Sequence, residues 1–166
     1  MGGFFDDIKK QAETFQKKAD GLSQPEGVFV SDHPQAAYVF NADATTALTE
    51  ARKRYPANTL RNGTGDAFRH CFWNSLMARD QGETLAKQFA TAHEAEGGPL
   101  IESMMDLYNN EQGRAIGKAN PKANDARLAD LCAAALDADE LLVIDGVRLV
   151  KSKSGLPYTP SGPRSR

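Results

Sequence analysis

The segment 66–79 constrains the fold of this chain more than any other part of the sequence. At about 100° per residue, its apolar side chains, including Phe68, Phe72 and Leu76, point in nearly every direction around a helix. A helix that is apolar almost all round has to be buried on all its sides. We therefore predict a central helix over 66–79 with other helices packed around it.

The remaining sequence predicts more helices and one hairpin. Pro34 begins a helical pattern, with a break possible at 41–43, that Pro56 ends; residues 21–26 are predicted as a connector. Further helical patterns cover 83–96, 100–118 and 124–138. Two apolar runs around Asp145-Gly146 predict a β-hairpin with a tight turn. The predicted fold class is mainly α, a compact helical domain around a central buried helix, with one small C-terminal β-hairpin.

The chain divides into three predicted parts. Residues 1–24 carry apolar residues at helical spacing, from Phe4 to Leu22, and predict an amphipathic N-terminal helix on which opposite charges cancel. Residues 25–150 predict a single helical domain, since 166 residues suffice for one sizeable core. Residues 151–166 are rich in proline and basic residues and predict a disordered tail.

Charge and hydropathy exclude several classes of protein. Twenty Lys and Arg residues against 22 Asp and Glu residues leave a net charge of −2, which argues against a nucleic acid as partner. No apolar run has the roughly 18 residues of a transmembrane segment. The N-terminus does not resemble a Sec signal, so we expect synthesis in the cytoplasm. Cys71 and Cys132 lie in apolar helical patterns and predict two buried thiols.

The central helix carries two polar residues that a plain core would not hold. A buried guanidinium is costly unless it is paired, so Arg69 should have a carboxylate partner. His70 has Asp66 and Asn74 one turn to either side of it. The imidazole could therefore be a hydrogen-bonded core residue, or it could be part of a functional site.

A second histidine lies on the next predicted helix. Phe89 and His93 are four residues apart on one apolar stripe, and Glu94 follows directly. A lone histidine on an apolar face is usually structural, but a second one close to His70 is less easily explained in that way.

The helix over 100–118 has the most unusual polar pattern. Polar residues recur at every fourth position: Glu102, Asp106, Asn110 and Arg114. A surface charge ladder would explain part of this pattern, yet like charges at positions 102 and 106 repel each other. Asn109 is a poor helix former, and Gly113 costs roughly 1 kcal/mol relative to alanine inside a helix. We therefore expect another group to approach closely at Gly113.

These polar residues are predicted to meet near one helical core. The catalytic candidates are His70, His93, Glu94, Asp106 and Arg114. The substrate-binding candidates are Arg69, Asn109 and Asn110. The candidate ligands for a divalent cation are His70, His93, Glu94 and Asp106. Acid–base chemistry without a metal, in which a carboxylate orients a histidine, is equally open. The sequence contains no HExxH, GxSxG, Walker A or GxGxxG motif that would indicate a standard reaction class.

Three ordered motifs resemble a group of bacterial effector domains. The motifs are RHxxW within Asp66–Trp73, HE within Ala92–Glu94, and MDLxNNxxGR over Met105–Arg114. They resemble C-terminal domains of polymorphic toxins, of Rhs and wall-associated proteins and of small secreted effectors. The resemblance covers about residues 62–118 and implies a polar site made of the motif residues, without implying a particular reaction.

Two functions from different classes follow. The first is a secreted effector or toxin-type hydrolase that acts on a cell-envelope substrate, lipid or peptidoglycan. Residues 62–118 contain five basic and eight acidic side chains, which suits such a substrate, and a divalent cation, better than a nucleic acid. The resemblance would then imply export by a specialised secretion or injection system and a cognate immunity protein. The alternative is a binding or adaptor module in which the polar cluster is a structural network.

Overall fold

The computed structural model describes residues 24–94 and 99–159. Within these ranges it contains six α-helices, one short 3-10 helix and one β-hairpin. The α-helices are α1 (Gln24–Asp32), α2 (Pro34–Arg54), α3 (Thr64–Gln81), α4 (Glu83–Glu94), α5 (Leu100–Ala119) and α6 (Asp125–Asp137). The 3-10 helix is Ala57–Thr59, and the strands are β1 (Leu142–Asp145) and β2 (Arg148–Lys151). The predicted mainly α fold with a small C-terminal hairpin is confirmed, whereas residues 1–23 of the predicted N-terminal helix lie outside the described ranges.

Helix α3 is the centre of the domain. Thirteen of its eighteen residues are buried, and it packs against α2, α4, α5 and α6. The Trp73 indole N–H donates a hydrogen bond of 2.9 Å to the Phe40 carbonyl oxygen, which joins α3 to α2. Aromatic contacts between Phe40, Phe89 and Phe29 continue the core to α4 and α1. The prediction of a central buried helix is therefore confirmed.

Helices α3 and α5 approach each other at two glycines. A Cβ atom at Gly113 would lie 2.8 Å from the carbonyl carbon and 2.9 Å from the Cα atom of Cys71, and nearer still to the Cys71 carbonyl oxygen. At Gly117 a Cβ atom would meet the backbone of Ser75 in the same way, one turn further along. Gly113 therefore allows the close approach that its position in the sequence predicted.

Both edges of the hairpin are held by other parts of the chain. On the outer edge of β1, the Leu142 peptide bonds to the Asn109 side chain and the Ile144 N–H donates to the Asn62 carbonyl oxygen at 2.8 Å. On the edge of β2, the Tyr158 N–H donates to the Leu149 carbonyl oxygen at 2.9 Å. Residues 152–159, which were predicted as part of a disordered tail, therefore fold back on β2 because its edge offers unpaired peptide groups.

One further prediction about helix boundaries is wrong, and one possible helix break is absent. The predicted connector at 21–26 overlaps α1, which begins at Gln24, because Pro25 is tolerated in the first turn of a helix. The break that the sequence left open at 41–43 does not occur, and α2 is continuous from Pro34 to Arg54. Its polar segment remains helical because neighbouring residues pack in the core.

Cys71 and Cys132 are buried free thiols, as predicted. In the ranges 24–94 and 99–159, no helix is both long enough and apolar enough to cross a bilayer.

Candidate functional site

Helices α3 and α5 bring an imidazole and two carboxylates together at their interface. His70 on α3 is only 3% exposed, and its Nε2 atom lies 3.6 Å from Asp66 Oδ1 and 3.4 Å from Asp106 Oδ1. Asp66 precedes His70 by one turn of α3, and Asp106 extends from α5. We refer to these three residues as the Asp66–His70–Asp106 centre.

A chain of hydrogen bonds determines which nitrogen of His70 carries a proton. Arg114 Nη1 donates to Asn74 Oδ1 at 3.2 Å, and Asn74 Nδ2 donates to Asn110 Oδ1 at 2.7 Å. Asn110 Oδ1 lies 3.1 Å from His70 Nδ1 and can only accept a hydrogen bond there. His70 Nδ1 must therefore donate, and the lone pair of a neutral imidazole is at Nε2, the atom that faces both aspartates.

The Arg69 guanidinium contacts both Asp66 and His70 Nε2. Its Nη2 atom donates to Asp66 Oδ1 at 2.6 Å and lies 2.8 Å from His70 Nε2. A guanidinium can only donate, so this contact agrees with a lone pair at Nε2. Burial, and then the positive charge of Arg69, hold the pKa of His70 well below its usual range, so the imidazole is neutral. The carboxylate partner predicted for Arg69 is Asp66.

The carboxyl groups around the imidazole differ in the hydrogen bonds that their oxygen atoms accept. Asp66 Oδ2 accepts a hydrogen bond of 2.7 Å from the Asn62 backbone N–H. Asp106 Oδ1 is buried without a hydrogen-bond partner, and burial together with the nearby Glu94 and Asp66 carboxylates raises the pKa of Asp106 to about 8. Burial also raises the pKa of Glu94, whose Oε1 lies 3.8 Å from His70 Nδ1. The local excess of acidic groups therefore favours a bound proton or cation.

The centre reaches the protein surface through Asp106 and through two neighbouring side chains, those of Arg69 and Glu94. The Arg69 side chain is 28% exposed, while those of Asp106 and Glu94 are 16% and 12% exposed. His70 itself lies beneath them. A small ligand or a water molecule would thus approach Nε2 from the side of Arg69.

Two predicted site residues have other roles. His93 Nδ1 pairs with Glu26 Oε1 on α1 at 2.6 Å, and the ring packs edge-on against Trp73. Asn109 Nδ2 donates to the Leu142 carbonyl oxygen, and Asn109 Oδ1 accepts from the Leu142 N–H, each at 2.9 Å. The structure therefore does not place His93 or Asn109 in the Asp66–His70–Asp106 centre.

The other predicted site residues do meet around the centre. His70 Nε2 lies close to both Arg69 Nη2 and Asp106 Oδ1. On the other side of the ring, Asn110 orients His70 through Nδ1, and Glu94 lies near the same atom. Arg114 acts at a distance, since Asn74 and Asn110 separate it from the imidazole.

From the sequence, Asp66 and Asn74 are only structural partners of His70. In the structure Asp66 is a member of the centre and Asn74 is a link in the hydrogen-bond chain. Their spacing of four residues on either side of His70 was the signal that could have identified them.

The fold and the site together define a mainly helical domain with a polar centre between two closely packed helices, α3 and α5. The chain matches a family described as a domain of unknown function (DUF6973) over residues 27–140, and it belongs to that family. The matched range includes every residue of the Asp66–His70–Asp106 centre. No solved structure matches the chain.

Proposed function

We propose that this chain is a bacterial effector-type hydrolase and that the Asp66–His70–Asp106 centre is its active site. The substrate class that we propose is a component of the cell envelope, lipid or peptidoglycan. Activation of water is the chemical task of such a centre, and a neutral imidazole performs it either by accepting a proton or by ligating a metal. In both cases the atom that acts is His70 Nε2.

The observation that carries this proposal is the orientation of the imidazole. Asn74 and Asn110 are fully buried, and both direct their amides so that the His70 lone pair faces Asp66 and Asp106. A purely structural histidine needs satisfied hydrogen bonds, but it does not need an aspartate oxygen beside its lone pair that is buried and has no donor. Groups with strongly perturbed pKa values, arranged in this way, are typical of active sites.

The charge around the centre supports the proposed substrate class. The carboxyl groups of Asp66, Glu94 and Asp106 lie within 4 Å of the His70 ring nitrogens, and Arg69 pairs with the first of them. Over residues 62–118 as a whole, eight acidic side chains outnumber five basic ones, which disfavours a polyphosphate backbone and therefore a nuclease. The resemblance of the three sequence motifs to secreted bacterial effectors supports export by a specialised secretion system and a cognate immunity protein.

The second candidate function is a non-enzymatic adaptor. Two observations favour it: Asn109 holds β1, and Gly113 allows α3 and α5 to pack closely. Both residues therefore serve the fold, although they lie in the same polar region of the sequence as the candidate site. In an adaptor the hydrogen-bond chain would serve only to fix the packing of these helices. Beside the centre, the Arg69 side chain is partly exposed, and this access to solvent favours the hydrolase over the adaptor.

The experiment that tests the proposal compares toxicity in two compartments. A bacterial host expresses the chain in the cytoplasm or behind a periplasmic signal sequence, and growth is recorded. We expect toxicity from the periplasm alone, and we expect His70→Ala and Asp106→Asn to abolish it. The purified protein should then release soluble products from phospholipid vesicles or from isolated peptidoglycan.

A matched control separates loss of chemistry from loss of the fold. Asp130→Asn makes the same chemical change as Asp106→Asn, but at an exposed side chain on α6 that pairs with Arg54. This variant should remain toxic. Toxicity from the cytoplasm would move the target to a nucleic acid or a metabolite. Absence of toxicity in both compartments, with no hydrolysis of either envelope substrate, would favour the adaptor.

A further inference from the structure

The three atoms of the centre that face one another have the separation of ligands around a single metal ion. Two ligands at about 2.1 Å from a tetrahedral metal lie about 3.4 Å apart. His70 Nε2 is 3.4 Å from Asp106 Oδ1 and 3.6 Å from Asp66 Oδ1, and one ligand atom from each residue lies within 4.8 Å of the other two. The side chains would need only small shifts to share one ion.

Each of these ligands is also oriented by a contact of its own. His70 Nδ1 donates to Asn110 Oδ1, which leaves Nε2 free of a proton, as metal ligation requires. Asp66 Oδ2 accepts the Asn62 N–H, and Asn62 Nδ2 bonds to Glu102 Oε1 at 2.8 Å. Contacts of this kind hold histidine and carboxylate ligands in metal sites.

The position that a cation would occupy already attracts positive charge. Arg69 Nη2 bonds to Asp66 Oδ1 and contacts His70 Nε2, so it takes the place of a cation at two of the three ligands. The third ligand atom, Asp106 Oδ1, is left without a donor. Because the Arg69 side chain is partly exposed, it can turn toward solvent without disturbing α3.

We propose that Asp66, His70 and Asp106 bind one divalent transition-metal cation, Zn²⁺ or Mn²⁺, in exchange for the Arg69 guanidinium. One imidazole with two carboxylates is a ligand set that suits both ions, and three protein ligands leave a coordination position for water. This inference rests on the proposed function in one respect, because it assigns the activation of water to the cation. Glu94 borders the Nδ1 side of the imidazole, away from the position proposed for the cation, and is not one of its ligands.

The test is calorimetric titration of tag-free, chelator-treated protein with ZnCl₂ and with MnCl₂. We expect one ion per chain for at least one of the two metals. Asp106→Asn and His70→Ala should weaken binding at least tenfold, whereas Glu111→Gln, at an exposed position of α5, should leave it unchanged. Arg69→Met removes the competing cation and should tighten binding about tenfold. Circular dichroism of each variant establishes that it is folded.

Several outcomes would overturn the proposal. These are absence of binding to the wild type, binding that Asp106→Asn and His70→Ala leave unchanged, and binding to Arg69→Met alone, which would mean that the guanidinium holds the site permanently.

The proposed function can fail independently of this inference. Hydrolysis that requires His70 but persists in excess chelator would support the proposed hydrolase and refute the proposed cation site. Stoichiometric binding without hydrolysis of any envelope substrate would retain the cation and refute the hydrolase.

Discussion

Replacing Gly113 with alanine should destabilise the domain and the centre together. The new Cβ atom would lie 2.8 and 2.9 Å from two backbone atoms of Cys71, where ordinary contacts are 3.4–4 Å. Since backbone atoms cannot rotate away as a side chain can, α3 and α5 have to move apart by at least about 0.5 Å. Asp66 and His70 extend from α3 and Asp106 from α5, so the same movement widens the centre.

The magnitude follows from two opposing effects. Overpacking in a dense interior costs about 1–3 kcal/mol, and a backbone clash belongs at the upper end of that range. Alanine in place of glycine stabilises a helix interior by about 1 kcal/mol. We therefore expect a net loss of about 2 kcal/mol in the free energy of unfolding, and at least a tenfold loss of metal affinity.

Urea denaturation, followed by the fluorescence of Trp73, measures this change. Gly27→Ala in α1 is the control, because a Cβ atom there meets nothing within 4 Å. That variant should be as stable as the wild type or up to about 1 kcal/mol more stable. If Gly113→Ala were at least as stable as Gly27→Ala, the argument that the approach of α3 and α5 requires glycine would be wrong.

Three further predictions concern stability. Burial raises the pKa of Asp43 from 3.8 to about 7, so ionisation of this carboxyl removes stability as the pH rises from about 4 to 7. Asp43→Asn should be more stable than wild type by roughly 4 kcal/mol in urea melts at pH 8, and the difference should vanish near pH 4. His93→Leu removes the bond to Glu26 and should cost about 1–3 kcal/mol, with faster hydrogen exchange in α1. Asn109→Leu leaves the Leu142 peptide without its partners and should cost about 2–4 kcal/mol by thermal melting, with early loss of the hairpin.

The controls for these predictions use neighbouring groups. A difference at pH 8 that persisted unchanged at pH 4 would show that Asp43 does not titrate as argued. His33→Leu changes a histidine that caps α2 without a side-chain hydrogen bond and should cost less than His93→Leu. If Asn109→Leu melted like the wild type, the Asn109 amide would not anchor β1.

The sequence predicts the helical core well because its strongest signals are local. The all-round apolar pattern of the central helix, the helix that begins at Pro34 and the Asp145-Gly146 turn each determine a structure within a few residues. The pairing of Arg69 with a carboxylate also follows from a local argument, since Asp66 is three residues away. The expected close approach at Gly113 depends only on the poor helix propensity of glycine.

The site is predicted less completely because its contacts are remote in sequence. Nothing in helical periodicity distinguishes Asn109, which bonds to a strand 33 residues later, from Asn110, which bonds to His70 40 residues earlier. His93 and His70 have similar patterns, yet a glutamate on α1, 67 residues before His93, pairs with one of them. Such assignments depend on how the helices cross, which a one-dimensional pattern does not contain.

The attachment of the hairpin to the helices sets the extent of the smallest unit that can fold. The family match ends at residue 140, but the buried amide of Asn109 bonds to Leu142. Asn62, whose N–H donates to Asp66, accepts a hydrogen bond from the Ile144 N–H at its carbonyl oxygen. A fragment cut at the family boundary would keep every residue of the Asp66–His70–Asp106 centre. It would lose the strand that contacts α5 through Asn109 and the loop before α3 through Asn62. Any transfer of this domain into another protein should therefore carry the chain through Tyr158.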